Sequence, residues 1–163
     1  MSSEEFLKTL SINLLGPSQV SRAAVPHLKA SGKAAIVFVS AVAGLNGGGS
    51  SIAYSASKAA LNNMTKSLAR VLGPEIRVNA VCPAFIEGRW LVEGMGQERY
   101  EAYKKNLVAT VTLRHAMTPE VVADQIYWFI DGASVVTRQV LTTGAGFTLG
   151  PVPAHSAAGS ENR

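Results

Sequence analysis

The run "AAIVFVS" (Ala34–Ser40) constrains this chain more than any other stretch. A strand with one wet face alternates polar and apolar residues. This one is continuously apolar and rich in Val and Ile, so both of its faces must be covered, which is the condition of a parallel strand. Helical patterns stand on either side to supply the cover. From about Ser3 to Ser31, Phe6, Leu7, Leu10, Leu14, Val20, Ala23, Ala24 and Leu28 fall close to a 3.6-residue period. Pro17 is expected to kink that helix and Gly32 to end it. From about Ala53 to Leu72, Ala56, Ala60, Leu61, Met64, Leu68 and Val71 make a second apolar stripe, stopped by Gly73-Pro74.

"IRVNAVC" (Ile76–Cys82) reads as the next strand, closed by Pro83. Residues 84–117 are irregular, with a short helix expected at Gln97–Asn106. Thr118-Pro119-Glu120 opens a third helix: threonine caps, proline suits the first turn, and the acid complements the helix dipole. Val122, Ile126, Phe129 and Ile130 line one face of it, and "RQVLTT" (Arg138–Thr143) is a last strand. Strands alternating with helices predict an α/β fold with about three parallel strands flanked by helices, joined by right-handed crossovers. Residues 1–150 form one partial domain on this reading. "PVPAHSAAGSENR" (151–163) is expected to be a disordered tail.

Composition excludes several classes. With 47% apolar and 16% charged residues the chain is globular. No apolar run reaches the roughly 18 residues of a membrane span, and the acidic start "MSSEEFLKTL" is unlike a secretion signal. A cytoplasmic location is expected. The single cysteine, Cys82, reads as a small buried thiol. The net charge of +4 is spread over Lys29, Lys33, Lys66, Arg70, Lys104 and Lys105 without a dense basic block, so neither nucleic acid nor membrane is an expected partner.

The chemistry centres on "SSIAYSASKAAL" (Ser50–Leu61), where Tyr54 precedes Lys58 by four residues. Residues so spaced share a helix face. The pair follows a glycine-rich loop at a strand end, where open α/β sheets bind ligands. A phenol ionises near pH 10 and is a poor base at neutrality; a nearby ammonium favours the phenolate. So tuned, tyrosine can protonate a carbonyl oxygen or take a proton from an alcohol. The spacing alone also fits two polar residues on a helix surface.

Wider context adds a resemblance. Tyr54-Ser-Ala-Ser-Lys58, Asn13 in "INLLG", Arg77-Val78-Asn79 before a strand, Pro83 and the closing "TRQVLTTGAG" together resemble the short-chain dehydrogenase/reductase family over about Phe6 to Gly146. The resemblance implies a truncated Rossmann-like parallel sheet and NAD(P)-dependent interconversion of a carbonyl and an alcohol. It implies Tyr54 as general acid/base and Lys58 as the residue that lowers its pKa and holds the nicotinamide ribose. It further implies that Asn13 holds a relay water, and that the backbone after Pro83, at Ala84 to Ile86, meets the nicotinamide amide. A small-molecule carbonyl or alcohol is the implied substrate, and a homo-oligomer through the two long helices the implied assembly. The segment Glu87–Met117, with Trp90, Met95, Tyr100 and Tyr103, would cover the substrate; the same residues also fit ordinary core packing.

The chain departs from that family in ways that matter. Thirteen residues before the tyrosine, where the family has a catalytic serine, stands Ala41. Ser40 is adjacent, but one step along a strand points to the opposite face unless the strand bulges. The early glycine-rich turn that seats a pyrophosphate on a helix N-terminus is missing, and with it the region that selects NAD or NADP. Ala84 follows Pro83 where glycine is usual, Thr143 replaces a common acid, and Ala145 falls in the final glycine pair. An inactive, family-derived module acting through association is therefore the alternative expectation to an oxidoreductase.

Overall fold

A computed structural model describes residues 1–150; the expected tail lies outside the described residues. The chain opens with α1 (Ser3–Leu10), passes through one π-helical turn (Ser11–Leu15) and continues as α2 (Gly16–Ala30). Then come β1 (Ala34–Val39), the short α3 (Ala43–Asn46), the long α4 (Ile52–Leu72) and β2 (Ile76–Pro83). Two helices, α5 (Arg89–Met95) and α6 (Gln97–Thr110), precede α7 (Pro119–Tyr127), a second π turn (Trp128–Gly132), and β3 (Val140–Thr143). The strands form one parallel sheet in the order β1-β2-β3, with Ala34 opposite Ile76 and Ala80 opposite Val140. The expected three-stranded α/β architecture is what the chain adopts.

Each face of the sheet has its own core. On one side Phe38, Val78 and Ala80 meet Leu61, Ala69 and Leu72 of α4. On the other, Val81 meets Met117, Val122 and Phe129, with Val37 packed against them. β1 is thus covered on both faces, as its unbroken apolar run requires.

Three features bear on the expectations. First, the disturbance expected from Pro17 falls in the turn just before it, around Asn13. Pro17 has no N–H to answer the carbonyl of Asn13 four residues back, so the helix widens there, and the Gly16 N–H bonds to the Ser11 carbonyl. Pro17 itself sits in the first turn of α2. Second, the apolar stripes only partly mark the buried faces. Leu7, Val20 and Val71 are exposed, whereas α4 buries Ala53, Ser57, Asn62, Thr65 and Ala69. Close approach explains the preference for small and polar residues: a Cβ on Gly44 of α3 would come within 2.6 Å of the Lys58 backbone. Third, residues 84–117 are more helical than expected, with α5 unforeseen and α6 extending to Thr110. The capping expectation for α7 holds, since the Thr118 side chain accepts from the Val121 N–H. Among the described residues no helix is long and apolar enough to cross a membrane.

Candidate active site

The Ser51 hydroxyl caps α4 by accepting from the Tyr54 N–H at 3.1 Å. That cap fixes Tyr54 in the first turn of α4. Lys58 stands one turn further on the same face, its ammonium 5.7 Å from the centroid of the Tyr54 ring. Both side chains are half-buried. The structure therefore brings the predicted pair together.

Its electrostatics run against the expectation. Burial pushes the Tyr54 phenol above the ordinary tyrosine value, and the neighbouring Cys82 adds to the push. Burial also lowers Lys58, with Cys82 partly offsetting it. Lys58 Nζ donates to the Val39 carbonyl at the end of β1, at 2.9 Å. Both shifts have one leading cause, burial, which disfavours the charged form of each group.

Asn13 lies in the π turn, and its side chain has a protein partner. Asn13 Nδ2 donates to Ser57 Oγ at 3.1 Å, and Ser57 Oγ donates to the Tyr54 carbonyl at 2.7 Å. Asn13 thus anchors the first turn of α4 through Ser57, which is fully buried. Ser57 escaped the sequence reading because a serine inside a helix carries no signal of its own; its place between Tyr54 and Lys58 was the only hint.

The serine question is answered by the ladder. The Ser40 N–H reaches the Val81 carbonyl at 2.7 Å and the Val42 N–H reaches the Pro83 carbonyl at 3.0 Å. Both chains advance two residues between those bonds, so no bulge intervenes. Ser40 keeps the face opposite Ala41, is buried, and donates its hydroxyl to the Lys58 backbone carbonyl at 3.1 Å. It does not replace the serine missing at Ala41.

The expected nicotinamide contacts are partly committed. Pro83 ends β2, and the Ala84 N–H is spent on the Thr143 carbonyl at 2.8 Å. Ile86 pairs with Met117 in a short bridge beyond the sheet. Cys82 is a buried thiol bonded to Asn62 Oδ1 at 3.4 Å, and burial pushes its pKa up, so it is inert as a nucleophile.

The glycines near the pair serve packing. A Cβ on Gly49 would meet Ser55 Oγ at 2.7 Å and the Tyr54 ring at 2.9 Å. One on Gly144 would meet the Ala84 side chain at 2.6 Å, and one on Gly146 the Thr112 side chain at 2.5 Å. These close approaches are to the protein itself, so none of the three forms a pyrophosphate cradle.

The covering segment is anchored rather than loose. Phe85 packs against Tyr100 and Tyr103, with ring centroids 6.0 and 5.3 Å apart. Lys104 Nζ pairs with Glu87 Oε2 at 2.6 Å. Tyr100 is core, only 5% exposed, while Trp90 stands 74% exposed. A groove beside this segment is bounded by Glu87, Arg89, Val92, Tyr100 and Glu120 and does not include Tyr54.

Comparison with known proteins fits this geometry. A family model described as enoyl-(acyl carrier protein) reductase matches residues 1–148. The short-chain dehydrogenase/reductase homolog YusR of Bacillus subtilis is 40% identical over 129 residues, covering 79% of this chain and 95% of that protein. The 3-oxoacyl-[acyl-carrier-protein] reductase FabG of Thermotoga maritima is 34% identical over 151 residues, covering 91% of this chain but 59% of the reductase. The solved structure of 4-hydroxyisoleucine dehydrogenase complexed with NADH superposes with a TM-score of 0.77 at 29% identity, covering 91% of this chain and 62% of that one. The chain belongs to the short-chain dehydrogenase/reductase family. It spans little more than half the length of the reductase and of the dehydrogenase, and nearly all of YusR.

Proposed function

We propose that this chain carries the proton-transfer half of an NAD(P)-dependent carbonyl/alcohol oxidoreductase, with Tyr54 as general acid/base. The observation that carries the reading is the Lys58 ammonium 5.7 Å from the Tyr54 ring, on one face of α4 at the strand ends. In the reducing direction the phenol hydroxyl gives its proton to the carbonyl oxygen, leaving a phenolate for the cation to stabilise; in the oxidising direction the phenolate takes the alcohol proton. A dinucleotide, when bound, would supply or accept the hydride. Of the described residues, Tyr54, Lys58, Pro83 and Ile86 suit its nicotinamide–ribose end. The glycines engaged inside the protein do not suit its pyrophosphate, so cofactor binding by the chain alone is weak. Asn13 and Ser57 position Tyr54. Asn13 also has a backbone carbonyl that Pro17 cannot answer, the group suited to hold a relay water. The substrate is a small carbonyl or alcohol compound, and exposed Leu7, Ile12, Val20 and Val71 on the long helices favour a homo-oligomer.

A second reading, an inactive family-derived module acting by association, is favoured by Ala41 and by the commitment of the Ser40 hydroxyl to Lys58. Fluorescence titration with NADH and NADPH separates the two. The oxidoreductase reading expects binding, turnover that Tyr54→Phe abolishes, and turnover that Ala41→Ser raises about a hundredfold, the worth of one oxyanion donor. No binding at millimolar cofactor supports the inactive module for the chain alone.

A further inference from the structure

Four exposed side chains of α4, Asn63, Lys66, Ser67 and Arg70, recur at intervals of three and four residues and so share one face of the helix. With Thr137 and Arg138, which lead into β3, they line an open groove of about 710 Å³. Three of those six residues are cations, and no acidic or aromatic residue lines the groove. Among the described residues none of the three cations is in an ion pair. The acids nearest to them in sequence, Glu75 and Asp131, pair with Lys29 and Lys33 instead. Two local preferences are broken in this groove. Lys66 and Arg70 stand one turn apart on the helix, where like charges repel. Arg138 has φ 68°, a left-handed backbone that glycine adopts freely and arginine does not. The turn keeps that conformation because it is bonded to β2 through three successive residues. The Arg138 N–H donates to the Val78 carbonyl at 2.7 Å, the Val78 N–H to Thr137 Oγ1 at 3.0 Å, and the Gln139 N–H to Asn79 Oδ1 at 3.0 Å. A fixed backbone that carries arginine where glycine is the easy residue presents a cation at a set place. An anion seated among the three would replace mutual repulsion with attraction, and departures from local preference of this kind gather at functional sites.

We propose that this groove binds a small, non-aromatic phosphate monoester, with Lys66, Arg70 and Arg138 gripping its phosphate. Guanidinium forks match phosphate oxygens in pairs, and a lysine adds a point charge. Asn63 and Ser67 offer an amide and a hydroxyl to hydroxyl groups on the rest of the ligand. The volume falls within the roughly 300–1,000 Å³ of small-molecule sites. Without an aromatic side chain there is no platform on which a base could stack, which sets nucleotides and single-stranded nucleic acid aside. The groove is distinct from the Tyr54 site. Tyr54 lies in the first turn of α4 and Arg70 in its last, on the order of 24 Å further along the helix.

The test follows the melting temperature of the whole chain, and then calorimetric titration, with glucose 6-phosphate as the probe. Glucose, and sodium chloride at matched ionic strength, are the controls. Glucose 6-phosphate is expected to raise the melting temperature progressively with its concentration, and the controls to leave it in place. Arg138→Gly suits the left-handed backbone and removes one cation, so it should keep the fold and weaken binding at least tenfold. Arg70→Gln, an exposed change within α4, should weaken binding severalfold and guards against an Arg138 variant that disturbs the turn. No response beyond that of chloride, or wild-type affinity in both variants, overturns the site. Inorganic phosphate that binds as tightly as glucose 6-phosphate overturns the choice of a monoester. Binding to vesicles containing phosphatidylinositol 4-phosphate that glucose 6-phosphate does not displace assigns the groove to a lipid headgroup and overturns the choice of a small molecule. Because turnover is not read, failure of the oxidoreductase reading leaves these outcomes unaffected.

Discussion

Tyr54 and Lys58 were legible as a pair because a spacing of four residues on a helix fixes a shared face before any tertiary contact forms. Their electrostatics were not legible, since burial and the competing Val39 carbonyl arise only on folding. The sign of the pH effect follows. The folded value of Tyr54 is raised, so the stability gained by keeping its proton is complete below the ordinary tyrosine value of about 10 and is lost as pH rises through the raised one. Lys58 is lowered, so the cost of burying its charge is present at neutral pH and relieved as pH rises through the lowered value. Denaturant melts of wild type and Tyr54→Phe should therefore run parallel near neutrality and diverge above about pH 10, the wild type falling faster. Parallel behaviour at all pH values would mean that the phenol is solvated like a free one. Asn13 was found by resemblance, but its bond to Ser57 depends on two helices meeting, which no local pattern records.

Elements were read better where one local cause dominates. Thr118-Pro119-Glu120 announced the start of α7 because cap, proline and dipole act within one turn. The disturbance expected from Pro17 takes the form of the π turn at Ser11–Leu15, since proline leaves the carbonyl four residues before it without a donor. In α4 the hydrophobic period misled, because close packing against α3 and β2 selects small residues for the buried face. Arg77, noted only as part of a family motif, clamps the second π turn to β2. Its guanidinium donates to the carbonyls of Phe129, Ile130 and Ala133 at 2.6 to 2.8 Å. Asn79 beside it ties β2 to the approach to β3, donating to the Val136 carbonyl and accepting from the Gln139 N–H. Replacing Arg77 with Met leaves three carbonyls without their charged donor and should cost about 3 kcal/mol in urea unfolding. Arg77→Lys should recover only part of that, because an ammonium lacks the planar fork. A loss under about 0.5 kcal/mol in the Met variant would show the clamp to be ornamental.

At the scale of the whole molecule, three parallel strands with helices on both faces follow from unbroken apolar runs and alternating helical segments, and the sheet order bears this out. The phenol and its cation are assembled, yet Ala41 offers no oxyanion donor, the nearby glycines pack against the protein, and the cation rests on the end of β1, which is the edge of the sheet among the described residues. The most direct test of the proton-transfer claim is a pH titration of the Tyr54 phenol by ultraviolet difference absorbance, wild type against Tyr54→Phe. It is to be run on the chain with and without saturating NADH. Ionisation above the ordinary value without NADH and below it with NADH is the predicted result; a phenol that stays above that value with NADH bound would contradict the claim.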